Sequence, residues 1–106
     1  MDIITQLTEE LNLKRDQVEK TVALIDEGNT IPFIARYRKE VTGSLDDTVL
    51  RALEERLNYL RSLDRRREEV FAAISAQEKM TPEIEAALAK AKILTEIEDI
   101  YRPFKQ

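Results

Sequence analysis

The segment at residues 31–40 is the part of the sequence best suited to binding, because it mixes apolar, aromatic and basic side chains. It reads Ile-Pro-Phe-Ile-Ala-Arg-Tyr-Arg-Lys-Glu. Residues 29–43 hold three basic groups and one acidic group, whereas acidic groups outnumber basic ones in residues 1–28, 44–80 and 81–106. Basic groups bind phosphates and aromatic rings stack on nucleobases, so this segment is a candidate nucleic-acid contact.

A structural role is the favoured interpretation of the same residues. Phe33, Ile34 and Tyr37 would lie in the core, while Arg36 and Arg38 would pair with carboxylates of neighbouring helices. We expect both aromatic rings to face the long helix described below. Replacing Tyr37 with alanine would then cost about 3 to 5 kcal/mol of stability.

Three consecutive arginines at residues 65–67, preceded by Arg61, form a second possible nucleic-acid contact. Acidic residues at positions 64, 68 and 69 flank the run, and groups one helical turn apart can form ion pairs. A solvated helix face carrying such pairs is therefore the favoured interpretation.

The residue types exclude several kinds of active site. The chain has no Cys, no His and no Trp, which excludes disulfides, Cys or His zinc sites, a thiol nucleophile and a serine-histidine triad. The pairs Asp46 with Asp47 and Glu54 with Glu55 are adjacent in sequence, so on a helix their side chains diverge by about 100°. We therefore predict no enzyme activity, no cofactor and no metal.

The composition indicates one small helical domain. The chain has 106 residues, a formal net charge of -4 and only 2 Gly and 3 Pro. Its first eleven residues lack the basic start and apolar run of a secretion signal, and no stretch approaches the roughly 20 apolar residues of a membrane span. We expect a soluble cytoplasmic protein without membrane contact.

Helix-breaking and helix-capping residues divide the first part of the chain into three predicted helices. Apolar residues recur at helical spacing on both sides of residues 12–14, which predicts two helices joined there. Gly28 follows the second of these, as a glycine that ends a helix would. Thr30 caps a short third helix that opens around Pro32.

The stretch from Ser44 to Lys79 contains no Gly and no Pro, and it predicts one continuous helix of more than 25 residues. Ser44 with Asp47 resembles a capping box at its start. A break at residues 62–64 is the alternative, because the apolar stripe drifts there. The helices before Gly43 are expected to cover the first half of this long helix.

Two further helices follow. Thr81 and Pro82 begin one that should fold back antiparallel on the second half of the long helix, because the connection is short. Thr95, with Glu98 three residues later, predicts the start of the other, and Pro103 ends it. The expected fold is all-α: an elongated bundle of short helices packed on one long helix, with about five to six helices.

Three segments together resemble a known family. They are IDEGNTIPFIARYRKEVTGSLDD at residues 25–47, LRALEERLNYLRSLDRRREEV at residues 50–70 and TEIEDIYRPFK at residues 95–105. In this order they resemble the N-terminal region of the Tex-like (toxin expression) transcription accessory proteins of bacteria. The resemblance covers essentially residues 1–106, and it implies a truncated N-terminal fragment of a larger protein.

The resemblance implies a function through the larger protein. Members of the family continue with a degenerate nuclease-like domain, helix-hairpin-helix elements and an OB-fold RNA-binding domain, and they act in transcription. It therefore implies a non-catalytic scaffold and docking domain, whose partners are the remaining domains, RNA or other nucleic acid through the parent protein, and the transcription machinery. The candidate contact residues are Phe33, Arg36, Tyr37, Arg38 and Lys39. Direct nucleic-acid binding through residues 31–40 is the alternative.

Overall fold

The computed structural model describes residues 2–106, and this part of the chain contains helices and no strand. In chain order the elements are α1 (Ile3–Leu11), α2 (Arg15–Asp26), α3 (Ile31–Tyr37), α4 (Lys39–Thr42), α5 (Asp47–Ala76), α6 (Pro82–Lys90), α7 (Leu94–Tyr101) and a 3-10 helix (Arg102–Phe104). The all-α prediction is confirmed, although these residues form seven α-helices and not five to six, because Arg38 separates the short α4 from α3. No helix in the described range is both long enough and apolar enough to cross a membrane.

Helix α5 is continuous over 30 residues, or about 45 Å, so the alternative break at residues 62–64 is wrong. Seven apolar residues spaced three, four or seven apart along it are at most 3% exposed: Leu50, Leu53, Leu57, Leu60, Leu63, Val70 and Ile74. This spacing places them on one side of the helix. The arginine run occupies the gap between Leu63 and Val70 without interrupting the helix.

The start of α5 differs from the sequence prediction. Asp46 rather than Ser44 caps the helix, because its carboxylate accepts the backbone N–H of Val49 at 2.9 Å. Ser44 has a positive φ of 65° and belongs to the turn before the helix. The Ser44 capping box is therefore wrong, since the carboxylate adjacent to the first helical residue takes the capping position.

The chain forms two compact units, the first ending at Leu60 and the second running from Arg61 to Gln106. The first unit contains α1 to α4 and the beginning of α5. One of its core clusters consists of buried apolar residues from α2, α3, the turn before α5 and α5 itself: Leu24, Ile31, Ile34, Leu45 and Leu50. The second unit contains the rest of α5 with α6, α7 and the 3-10 helix.

The turn between α2 and α3 forms as the sequence predicts. Gly28 has a φ of +94°, and its N–H donates to the carbonyl of Ile25 at 2.9 Å. The Thr30 hydroxyl then accepts the N–H of Phe33 at 3.3 Å and caps α3. This turn fixes the direction in which the aromatic and basic segment leaves α2.

Helices α2 and α4 approach closely through one side chain. Gln17 donates from Nε2 to the carbonyl of Thr42 at 3.0 Å. A Cβ atom added at Gly43 would lie 2.6 Å from that Nε2, and the φ of Gly43 is +73°. The left-handed backbone favours glycine here, and a Cβ atom would displace the Gln17 amide from its hydrogen-bonding position.

In the second unit, one predicted helix start is confirmed and the other is wrong. The Thr81 hydroxyl accepts the N–H of Ile84 at 3.2 Å and caps α6. Thr95 lies inside the first turn of α7, which starts one residue earlier at Leu94. The Glu96 carboxylate accepts the N–H of Lys92 at 3.0 Å. The backbone donor before α7 is therefore satisfied by Glu96 and not by the shorter side chain of Thr95.

Two threonines of the first unit are fully buried and differ in hydrogen bonding. The Thr42 hydroxyl accepts the backbone N–H of Leu45 at 3.3 Å. The Thr21 hydroxyl has no partner within the described residues. A buried hydroxyl without a hydrogen bond destabilises the folded state, whereas one that satisfies a buried N–H stabilises it.

We predict opposite effects for the same substitution at these positions. Thr21→Val should raise the free energy of unfolding by about 1 kcal/mol, because it removes an unpartnered hydroxyl at nearly constant volume. Thr42→Val should lower it by about 1 to 2 kcal/mol, because the N–H of Leu45 loses its acceptor. Urea denaturation measures both values, and effects of the same sign would contradict the prediction.

Candidate contact surface

Helix α3 has an inner face of aliphatic residues and an outer face of aromatic residues. Ile31 and Ile34 are 6% and 0% exposed, and Ala35 packs against the same core. At about 100° per residue, Phe33 and Tyr37 lie about 200° and 240° around the helix from Ile31. Phe33 therefore lies on the side away from Ile31, whereas Tyr37 lies about 60° from Ile34, at the border of the buried face.

The exposure of Tyr37 corrects the sequence prediction. This side chain is 55% exposed, while Phe33 is half-buried. The expectation that both rings face the long helix is wrong, because the inner face of this seven-residue helix is already occupied by Ile31, Ile34 and Ala35. The aromatic residues are available for contacts outside the core.

Three of the five candidate contact residues touch one another. The rings of Phe33 and Tyr37 have their centroids 5.3 Å apart and are tilted by 48°. The guanidinium carbon of Arg38 lies 5.0 Å from the centroid of Phe33, and Nη1 of Arg38 donates to the carbonyl of Tyr37 at 3.0 Å. An aromatic pair and a cation–π interaction therefore stabilise the positions of these three side chains.

Arg38 also ends helix α3. Its φ of -129° and ψ of 33° separate α3 from α4. Arg36 and Lys39, on either side of this break, are exposed and are not held by the aromatic pair. We call the surface formed by Phe33, Arg36, Tyr37, Arg38 and Lys39 the aromatic-basic patch.

The cations of the patch differ from most other cations of the first unit. Four basic residues elsewhere in that unit form ion pairs with carboxylates: Arg15, Lys20, Arg51 and Arg56. Arg56 also lowers the pKa of Glu10 by donating hydrogen bonds to its carboxylate. In contrast, Arg36, Arg38 and Lys39 form no ion pair with any residue that the structure describes, and in this unit they share that property only with Lys14. The expected pairing of Arg36 and Arg38 with neighbouring carboxylates is wrong.

Two residues of the arginine run hold the second unit together. Arg67 donates to the carbonyl of Leu88 at 2.7 Å and to the carbonyl of Ala91 at 2.5 Å, and it also pairs with Asp64. Those two carbonyls belong to the end of α6. Arg67 therefore stabilises the C-terminal end of α6, which carries partial negative charge.

Arg66 makes the corresponding contacts with α7. Its guanidinium donates to both carboxylate oxygens of Glu98, at 2.6 and 3.0 Å, and lies 5.4 Å from the ring centroid of Tyr101. These hydrogen bonds hold the pKa of Glu98 below its ordinary value. The predicted ion pairs along this helix face are confirmed for Arg66 with Glu69 and for Arg67 with Asp64, but the face is not simply solvated, because both arginines also contact another helix. The contact with α6 agrees with the predicted fold-back of that helix.

The carboxylates give no metal site in the described part of the chain. No three Asp or Glu side chains there are grouped as metal ligands. The aromatic-basic patch is therefore the strongest candidate for a functional surface.

Comparison with known sequences identifies the family. The family described as "Tex-like protein N-terminal domain" matches residues 1–75. The chain belongs to this family. The match includes α1 to α4 and nearly all of α5, and with them the whole aromatic-basic patch.

Three relatives cover nearly all of this Tex-like chain. It is 52% identical over 96 residues to Protein YhgF of Escherichia coli, which covers 91% of the chain and 12% of that protein. It is 46% identical over 105 residues to the Transcriptional accessory protein Tex of Neisseria gonorrhoeae, covering 99% of the chain and 14% of that protein. It is 33% identical over 104 residues to the S1 RNA-binding domain-containing protein 1 of Pongo abelii, covering 98% of the chain and 10% of that protein. The chain thus spans about an eighth of the length of its bacterial relatives.

We predict that Tyr37 contributes little to stability. Tyr37→Ala should lower the free energy of unfolding by about 1 kcal/mol or less, because the ring is mostly exposed. The matched change Ile34→Ala, one turn earlier on the buried face, should cost about 2 to 5 kcal/mol. Urea denaturation of both variants tests this difference, and a cost for Tyr37→Ala equal to that of Ile34→Ala would place Tyr37 in the core.

We predict unequal roles within the arginine run. Arg66→Ala and Arg67→Ala should each lower the free energy of unfolding by about 2 to 3 kcal/mol, because each removes charged hydrogen bonds to another helix. Arg65→Ala should change it by about 0.5 kcal/mol or less, since Arg65 is exposed. Thermal or urea unfolding provides the comparison, and equal losses at all three positions would refute these roles.

Proposed function

We propose that this chain is the N-terminal helical domain, residues 1–106, of a Tex-type transcription accessory protein, and that it acts as a non-catalytic docking scaffold. Its docking surface is the aromatic-basic patch, and its first partners are the other domains of the same protein. Through that protein it participates in binding RNA or other nucleic acid and contacts the transcription machinery in the cytoplasm. The names of the relatives support this setting, since one is a transcriptional accessory protein and another carries an S1 RNA-binding domain.

One observation carries the docking role. Arg36, Arg38 and Lys39 lie beside an exposed tyrosine and have no ion-pair partner among the described residues, while most other cations of the first unit are paired. Aromatic residues and arginine are enriched in protein interfaces, where rings supply contact area and guanidinium groups bind carboxylates. A surface with these groups is suited to binding a partner.

The non-catalytic part of the proposal rests on residue types. The chain has no Cys and no His, so it lacks the side chains that most often act as nucleophile or general base near neutral pH. A reaction would have to depend on carboxylates, lysines or hydroxyl groups. The contacts described above pair none of these side chains with another group in a catalytic arrangement.

Direct nucleic-acid binding by the patch is the second candidate function. The combination of Tyr37, which is 55% exposed, with three unpaired cations favours it. Such a surface could stack a base and bind the adjoining phosphates. The net charge of -4 disfavours it, because a protein with excess negative charge repels a polyanion outside its local basic surface.

A matched pair of charge reversals distinguishes the two functions. Arg36→Glu changes the patch, and Lys14→Glu changes another exposed, unpaired cation of the first unit. The remaining domains of the full-length protein are produced as a separate chain, and their affinity for the 106-residue chain is measured by calorimetry. Under the docking proposal, Arg36→Glu lowers this affinity about tenfold or more and Lys14→Glu leaves it unchanged.

Binding of single-stranded RNA to the same chain is measured in parallel by fluorescence anisotropy at several salt concentrations. Under direct nucleic-acid binding, the wild-type chain binds RNA, its affinity falls steeply with salt, and Arg36→Glu reduces both the affinity and the salt slope. If neither RNA nor the remaining domains respond to Arg36→Glu, both functions of the patch are refuted.

A further inference from the structure

A surface groove lies beside the aromatic-basic patch, between the start of α3 and the side of α5. The residues that line it are Thr30, Ile31, Pro32, Arg51, Glu54 and Glu55. All of them belong to the first unit. Pro32 is exposed at the edge of the groove, and Ile31 is 6% exposed. The groove therefore offers apolar contact area on its α3 side.

The α5 side of the groove carries excess negative charge. Arg51 is neutralised by Asp47, with 3.0 Å between Nε of the arginine and the carboxylate. Glu54 and Glu55 form no ion pair with any described residue. The groove therefore presents two uncompensated carboxylates opposite Pro32, where a cationic side chain would be attracted.

The groove and the patch are adjacent on helix α3. Pro32 and Arg36 are four residues apart, so they lie on the same face of α3 about one turn, or about 5.4 Å, from each other. A short track therefore runs from the carboxylates at Glu54 and Glu55, across Pro32, to the unpaired guanidinium of Arg36. Along this track the charge changes from negative at Glu54 and Glu55 to positive at Arg36, which lies about one helical turn beyond Pro32.

We propose that this track binds a polypeptide segment of mixed charge. A lysine or arginine of the segment lies against Glu54 and Glu55, an apolar side chain packs on Pro32, and an aspartate or glutamate pairs with Arg36. This inference rests on the docking function proposed above, and it specifies the chemistry of the partner. The order of charges on the track defines the order of charges on the segment.

The same charges disfavour a nucleic-acid strand at this site. Every nucleotide of a strand carries a phosphate, so a strand that reaches Arg36 along the track places its next phosphates near Glu54 and Glu55. Like charges at such an interface are repulsive and suppress the wrong class of partner. A polypeptide can reverse its charge from one residue to the next, which is what the track requires.

A random 12-residue peptide library displayed on phage tests the proposal, with the 106-residue chain as bait. We expect the selected peptides to carry a basic residue and an acidic residue separated by a constant spacing, with an apolar residue between them. Their affinities for the bait are then measured with synthetic peptides by calorimetry. Selection of peptides without this charge pattern, or no enrichment at all, overturns the proposal.

Variants of the bait test which residues the peptides contact. Glu54→Lys with Glu55→Lys should weaken the selected peptides about tenfold or more, and Arg36→Glu should do the same. The pair Glu9→Lys with Glu27→Lys makes the same change in net charge at exposed positions outside the track and should leave the affinity unchanged. Because Glu54 is half-buried, Glu54→Gln with Glu55→Gln provides a milder variant of unchanged size, and circular dichroism verifies the helix content of each protein.

The outcomes separate this inference from the docking function itself. If the peptides lose affinity for the Arg36→Glu bait but keep it for the Glu54→Lys and Glu55→Lys bait, the patch binds protein and the proposed track is wrong. If no peptide depends on Arg36, while a 12-residue oligouridine binds the chain and loses affinity on Arg36→Glu, the docking function is also wrong and the patch binds nucleic acid.

Discussion

The buried apolar residues of α5, which lie on both sides of the arginine run, are the constraint on which both compact units depend. The other α-helices contain from 4 to 12 residues, and isolated helices shorter than about 12 to 15 residues are marginal in water. They persist because each buries apolar residues in a shared core, and α5 supplies such residues to both units, with Leu50 in one and Val70 in the other. A proline within α5 would therefore disturb more than the local helix.

The distribution of arginine contacts separates structural cations from available ones. Arg66 and Arg67 complete the hydrogen bonding of α7 and α6, so their charge is used within the second unit. Arg36 and Arg38 face no carboxylate, although the chain has more acidic than basic residues. Arginine content therefore indicates little about binding until the partners of each guanidinium are known. In this domain the arginine run at residues 65–67 is mainly structural, and the basic segment at residues 31–40 is the candidate interface.

The sequence predicts the elements here better than it predicts the contacts between them. Thr30 and Thr81 are identified correctly because a cap depends on a side chain and an N–H three residues away. Ser44 fails because a nearby carboxylate competes for the capping position. The exposure of Tyr37 does not follow from helical spacing, since 100° per residue places it only about 60° from the buried Ile34. The pairing of Arg66 with Glu98 also could not be predicted from the sequence, because 32 residues separate them and helical spacing does not relate them.

The way α6 ends has a consequence for the order of folding. Its last turn leads into Ala91, which is extended with a ψ of 131° and provides no left-handed cap. The Leu88 carbonyl accepts the N–H of Ala91 at 3.3 Å, and Arg67, which lies 21 and 24 residues earlier in the sequence, supplies further donors to the carbonyls of Leu88 and Ala91. Because a nine-residue helix is marginal alone, we expect α6 to remain unformed until the stretch of α5 around Arg67 is helical. Its amide protons would then gain protection from solvent exchange after those of α5, as a late step in the assembly of the second unit.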